Sequence, residues 1–144
     1  MNSQKQFEMA LTFERSFLPT RSSNIKIAAY VDGEIDEELF RDAVNKLTIK
    51  HPYLRSKVVM REDGTAYLTT EGGKKPKSVV VLGNSNADIF DAIYQEDLQP
   101  SNWETEPTSR FILIKGVNSS DVVVAYVQHV VADGRSVVFV MKHL

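Results

Sequence analysis

Residues 121–136 constrain this chain more than any other stretch. Asp121 is followed by Val122, Val123, Val124, Ala125, Tyr126 and Val127, and then by Gln128, His129, Val130, Val131, Ala132, Asp133 and Gly134. The Val122–Val127 run is apolar and mostly β-branched, has the length of a buried strand and lacks helical spacing. Gln128 and His129 fall at its end, where α/β proteins tend to place reactive groups on loops. Asp133-Gly134 is a turn signal, because glycine adopts positive φ without strain and aspartate bonds its own backbone. From Ser136 to Leu144 the sequence is apolar again and reads as the start of a helix. The unit is strand, short loop, helix, with His129 at its mouth.

Taken alone, these residues leave two readings of His129 open. In one it is a reactive imidazole at a strand end; in the other it is a satisfied, partly buried histidine at a turn. With three His, nine Asp and seven Gly in 144 residues, an H-x-x-x-D-G spacing arises by chance in roughly one such chain in a hundred, so the spacing alone does not decide. A His129–Asp133 metal pair at i, i+4 would need one continuous helix, which the Asp-Gly turn opposes. With no Cys and no second nearby His to complete a site, no metal site is expected.

Composition narrows the classes. A length of 144 predicts one domain with a real core. A formal net charge of −2 points to neither nucleic acid nor an anionic membrane. The absence of Cys excludes a disulfide framework and a thiol nucleophile, and it suits a reducing, cytoplasmic compartment. No apolar run approaches the roughly 20 residues that span a bilayer. Met1 to Leu18 carries Glu8 and Glu14 and no apolar signal-peptide core.

Along the chain, a short helix is expected around Gln6 to Arg15, with Phe7, Leu11 and Phe17 on its apolar side, and then a polar connector from Pro19 to Ser23. Ile25 to Val31 alternates as a strand. Asp36 is expected to N-cap a helix carrying Leu39, Phe40, Ala43, Val44 and Leu47, which Pro52 stops. Leu54 to Met60 and Thr65 to Thr70 form a hairpin about Asp63-Gly64. Glu71 to Lys77 is rich in Gly and Lys; it reads as a solvated loop, or as a phosphate contact without Walker spacing. Ser78 to Leu82 is a short strand and Asp88 to Asp97 a helix, followed by a linker with Trp103. Phe111 to Ile114 pairs with Val122 to Val127 around Asn118 to Asp121. The fold class is α/β, in the form of an α+β open sheet with helices packed on it.

Gln128-His-Val-Val-Ala-Asp-Gly134 resembles the H-H-x-x-x-D-G signature of the thioester-dependent acyltransferases of the chloramphenicol acetyltransferase-like superfamily. That superfamily includes the condensation domains of nonribosomal peptide synthetases, the polyketide-associated acyltransferases and alcohol acetyltransferase-like proteins. Gly33 to Ser56 resembles its first helix followed by its H-P/E-x-L-R-[ST] segment, here His51-Pro-Tyr-Leu-Arg-Ser56. Leu11-Thr-Phe-Glu-Arg15 is similar to the openings of the alcohol acetyltransferase and polyketide-associated branch.

The resemblance implies the N-terminal subdomain of the chloramphenicol acetyltransferase-like fold over residues 1–144, with the C-terminal half of the fold absent. It implies that His129 is a general base and that Gln128 stands at the position of the signature's first His. Asp133 would pair with Arg55 to fix the loop, Gly134 would let the backbone turn beside a substrate channel, and Arg135 and Ser136 would orient the donor or cap the helix. The donor would be acyl-CoA or a phosphopantetheinyl thioester on an acyl or peptidyl carrier protein, with no permanently bound cofactor. The acceptor would be a small-molecule hydroxyl or amine. Because the family site lies between two halves, the 144-residue chain alone is expected to be inactive, and to bind the missing half or self-associate. The contrasting expectation is a noncatalytic binding or interaction domain that keeps the fold, with Gln128 an early sign of lost function.

Overall fold

The computed structural model describes residues 8–12, 24–99, 102 and 104–144. In chain order the elements are β1 (Glu8–Leu11), β2 (Asn24–Val31), α1 (Glu37–Lys50), a 3₁₀ turn (Pro52–Arg55), β3 (Lys57–Met60), β4 (Ala66–Thr69), β5 (Lys77–Leu82), α2 (Asn86–Leu98), β6 (Ser109–Val117), β7 (Ser120–Gln128) and α3 (Gly134–Met141). The strands form two sheets, a four-stranded one in the order β2-β7-β6-β5 and a three-stranded one in the order β1-β4-β3. All ladders are antiparallel except β5 with β6, which α2 connects as a crossover.

The apolar run of β7 exists because both faces of its sheet are covered. On one face Phe111, Leu113, Val123, Ala125 and Val127 pack with Phe40, Val44 and Leu47 of α1 and with Val137 and Val140 of α3. On the other, Ile112, Ile114, Val122 and Val124 pack with Ile89, Ala92 and Ile93 of α2. The β6–β7 hairpin is longer than the sequence suggests and turns at Asn118 and Ser119, both at positive φ (48° and 67°). That geometry matches the twist of the flanking strands.

Asp36 caps α1, its carboxylate accepting from the Glu38 and Leu39 amides at 2.9 Å. A buried carboxylate, Asp121, holds the entry to α1 against the sheet. It accepts from the Ile35 amide at 2.6 Å and the Gly116 amide at 3.0 Å, with Lys115 Nζ at 3.5 Å. Burial pushes its carboxyl up, but these donors outweigh burial and hold it below the usual range.

Leu11, Val58, Ala66 and Leu68 form the core of the small sheet, and Val130 completes it from the loop after β7. Val131 packs against this core and against the main one, and Ala132 belongs to the main one. The loop bearing His129 is therefore pinned where the two sheets meet. The segment expected as a helix from Gln6 to Arg15 is a strand over Glu8–Leu11, paired with β4 from Glu8↔Thr69 to Leu11↔Ala66. The remainder of that expectation, including Phe7, the Phe13–Arg15 part of the branch-specific opening and Phe17, lies outside the described residues, as do the Pro19–Ser23 connector and Trp103. No helix among the described residues is long and apolar enough to cross a membrane.

A pair of histidines ties the ends of α1 and α3. His51 Nε2 and His143 Nδ1 lie 3.0 Å apart with their rings stacked, Phe139 meets both edge-on, and the Tyr53 hydroxyl sits 3.4 Å from His51 Nδ1. Burial lowers the His51 pKa, and His143 and Lys50 lower it further. The folded state thus favours the neutral ring. As pH falls below the ordinary imidazole value the unfolded chain takes up the proton first, so stability present above that value is lost below it. Melting temperature should fall as pH drops through and below the ordinary imidazole value, and His51→Gln should flatten that dependence in thermal melts.

Candidate functional site

β7 ends at Gln128, whose buried backbone is fastened on both sides. Its amide donates to the Thr108 carbonyl at 2.9 Å, and its carbonyl accepts from the Val131 amide at 3.1 Å. The second bond closes a turn immediately after the strand, so the chain leaves the sheet at His129. Gln128, Val130 and Ala132 are buried, and His129 between them is half-buried. Packing is carried by its neighbours Val130 and Ala132, which belong to the small and the main core. Residues 129–131 form a turn and α3 begins at Gly134, so His129 and Asp133 do not share a helix as a metal pair would need. Among the described residues no group of three His, Cys, Asp or Glu is placed to hold a metal ion.

Asp133 is the N-cap of α3. Its Oδ1 accepts from the Ser136 amide at 2.8 Å. The amide and hydroxyl of Ser136 hold its carboxyl below the usual range, and Arg135 and His129 add smaller contributions. This corrects two expectations. Ser136 is not the cap but the first-turn residue that the cap bonds. The Asp133–Arg55 ion pair is not formed: the carboxylate is exposed and turned to the helix end, while Arg55 has no ion pair among the described residues and its Nε is buried without a partner. The expected reason for Gly134 is also not found, since a Cβ there would meet no atom within 4 Å and its φ is not positive. Asp133→Ala should lower the melting temperature by a few degrees and Asp133→Asn should restore most of the loss, read by thermal denaturation.

Arg55 reaches this region through its backbone. The Tyr53–Ser56 segment is sewn to the start of β6. Thr108 Oγ1 donates to the Tyr53 carbonyl at 2.9 Å, Ser109 Oγ to the Leu54 carbonyl at 2.6 Å, and the Thr108 amide to the Ser56 carbonyl at 3.1 Å. Gly73 of the β4–β5 loop lies against the Arg55 carbonyl, with which a Cβ at Gly73 would collide. The 3₁₀ turn, the start of β6, the β4–β5 loop and the end of β7 therefore meet at one end of the large sheet.

Sequence reasoning missed the polar layer beneath this end. Tyr126, read as part of the apolar run, donates its hydroxyl to Asp97 and accepts from Asn24 Nδ2 at 2.8 Å. Burial, then Asp97, pushes it up to about 12. Asp97 also pairs with Lys26 at 2.8 Å. Arg110, nearly buried, pairs with Glu96 at 3.0 Å and Glu106 at 3.1 Å. The only signal was alternation: Arg110 and Tyr126 are register partners on the α2 face of their strands.

The condensation-domain family model matches residues 3–144, and the chain belongs to that family. Solved structures agree in fold. The starter condensation domain of rhizomide synthetase RzmA superposes with a TM-score of 0.77 at 18% identity, covering 95% of this chain and 36% of that one. A double mutant of the same domain, in complex with C8-CoA and Leu-SNAC, gives 0.80 at 16% identity, covering 94% and 34%. The first condensation domain of the calcium-dependent antibiotic synthetase, in complex with a substrate analogue, gives 0.78 at 12% identity, covering 94% and 36%. This chain thus spans about a third of the length of these structures. No curated protein matches it by sequence.

Proposed function

We propose that this chain is the N-terminal half of an acyltransferase in which His129 is the general base. The observation that carries this reading is the placement of His129: a half-buried imidazole at the end of the central strand, flanked by buried residues that fix its backbone. In the proposed reaction the acceptor hydroxyl or amine gives its proton to the imidazole as its lone pair attacks the thioester carbonyl. The tetrahedral intermediate collapses with cleavage of the C–S bond, and the imidazolium proton goes to the leaving thiolate. No acyl-enzyme forms.

Gln128 holds the loop through its backbone, and Asp133 fixes the start of α3. The donor is a CoA or carrier-protein thioester; the capture of C8-CoA and Leu-SNAC by a structural relative supports a thioester donor with an amine acceptor. The second half of the fold would supply the opposite wall of the site, so the 144-residue chain alone should give little or no product. The test is acyl transfer by full-length protein and by the isolated chain, each with His129→Ala. Turnover by the isolated chain that His129→Ala abolishes would overturn the requirement for a second half. Transfer by the full-length variant at the parent rate would favour a noncatalytic role for His129, a reading to which the absence of an Arg55–Asp133 ion pair lends weight.

A further inference from the structure

The β4–β5 loop gathers positive charge that the fold does not use. Lys74, Lys75 and Lys77 are exposed and form no ion pair with any described residue. Lys57 reaches the same loop, its Nζ 3.1 Å from where a Cβ on Gly72 would stand. Lys74, Lys75 and Lys77 line a cavity of about 300 Å³ together with Gln99, Glu106, Pro107 and Arg110. Arg110 is already committed to Glu96 and Glu106, so the ammonium groups are the charges left to meet a ligand. Positive charge stays in excess in the cavity when these acids are set against Arg110. Ammonium groups on flexible stems around an open, glycine-bearing loop suit a phosphate, which supplies the charge and the acceptor oxygens they lack.

Position relates this cavity to His129. Lys77 is the register partner of Arg110, and Arg110 is the partner of Tyr126, two residues before Gln128. The lysines therefore stand at the same end of the sheet as His129, two strands away, or about 10 Å at ordinary strand spacing. Pro107 and Arg110 also lie beside Thr108, Tyr126 and Gln128, which enclose a crevice of about 10 Å³, room for no more than one water. A thioester donor of either kind carries phosphate at the far end of a pantetheine arm, which is about as long as four or five extended residues, roughly 15 Å.

We infer that Lys74, Lys75 and Lys77 bind the phosphate of the acyl donor, whose pantetheine arm is long enough to span the distance from these lysines to His129. The inference rests on the acyl-transfer reading for the identity of the ligand. Its test has two readouts. The first is calorimetric titration of the full-length protein and its Lys74→Gln/Lys75→Gln/Lys77→Gln variant with CoA, 4′-phosphopantetheine and phosphate-free pantetheine. Loss of charged hydrogen bonds should weaken a phosphate-bearing probe by about tenfold or more and leave pantetheine unchanged. Weakening of both phosphate probes assigns the contact to the phosphate on the arm; weakening of CoA alone assigns it to the nucleotide end. Equal CoA affinity in parent and variant, or no CoA binding by the parent, overturns the site. The second readout compares transfer from acyl-CoA and from phosphate-free acyl-pantetheine. The variant should lose the advantage of acyl-CoA and keep the rate with acyl-pantetheine. Equal losses with both donors would overturn the phosphate role. Absence of product from either donor would sink the acyl-transfer reading, while the titration still decides the phosphate site.

Discussion

Replacing His129 with alanine in the full-length protein should lower kcat/KM for acyl transfer by about 10²–10⁴-fold, the range of a positioned general base. The fold should survive, because His129 is only half-buried and its buried neighbours Gln128, Val130 and Ala132 carry the packing. The Gln128 amide and carbonyl bonds that close the turn belong to the backbone and do not need the imidazole. Initial rates and thermal melts on the same samples separate the two effects. A large loss of rate at unchanged melting temperature is expected. An unchanged rate would remove the proposed base, and a collapse in melting temperature would make His129 a packing residue.

The largest expected loss of stability follows Phe111→Ala. Phe111 is fully buried near the start of β6, opposite Ala125 of β7 and Ser78 of β5. It lies in the cluster that joins α1, the large sheet and α3. Removing a buried ring forfeits its transfer free energy and leaves a cavity that strands on both sides cannot close, at a cost of about 3–5 kcal/mol. Domains hold only about 5–15 kcal/mol in total, so urea denaturation should show a much lower midpoint with a similar slope. Phe111→Leu should lose less. A loss under about 1 kcal/mol for Phe111→Ala would mean that this cluster does not organise the fold.

What could be read from the sequence was what local spacing encodes. The β7 run, the Asp36 cap, the Asp63-Gly64 hairpin and the amphipathic face of α1 each declare themselves within a dozen residues. Pairings between distant segments do not. Glu8–Leu11 looked helical because Phe7 and Leu11 are four apart, whereas its partner is Ala66–Thr69. The division into two sheets rests on the same kind of distant pairing, since Val130 completes the small core and Val127 the large one.

At the site, the position of His129 at a strand end was legible from the apolar run before it and the Asp-Gly after it. Partners were less so. A carboxylate three residues before an amide at a helix start can cap locally, and for Asp133 that short contact to Ser136 replaces the distant one to Arg55. The Tyr126–Asp97–Lys26 and Arg110–Glu96 pairs depend on which strand faces align, which spacing within one strand cannot reveal.

A quenched time course of the full-length protein with acyl-CoA and an amine acceptor, followed by intact-mass measurement, tests the role of His129 most directly. Product and the acyl-bearing mass of the protein would be read together in parent and His129→Ala. The account predicts product from the parent with no acylated protein at any time, and neither product nor adduct from the variant. An acylated protein that forms and decays at the rate of turnover would contradict direct transfer by a general base.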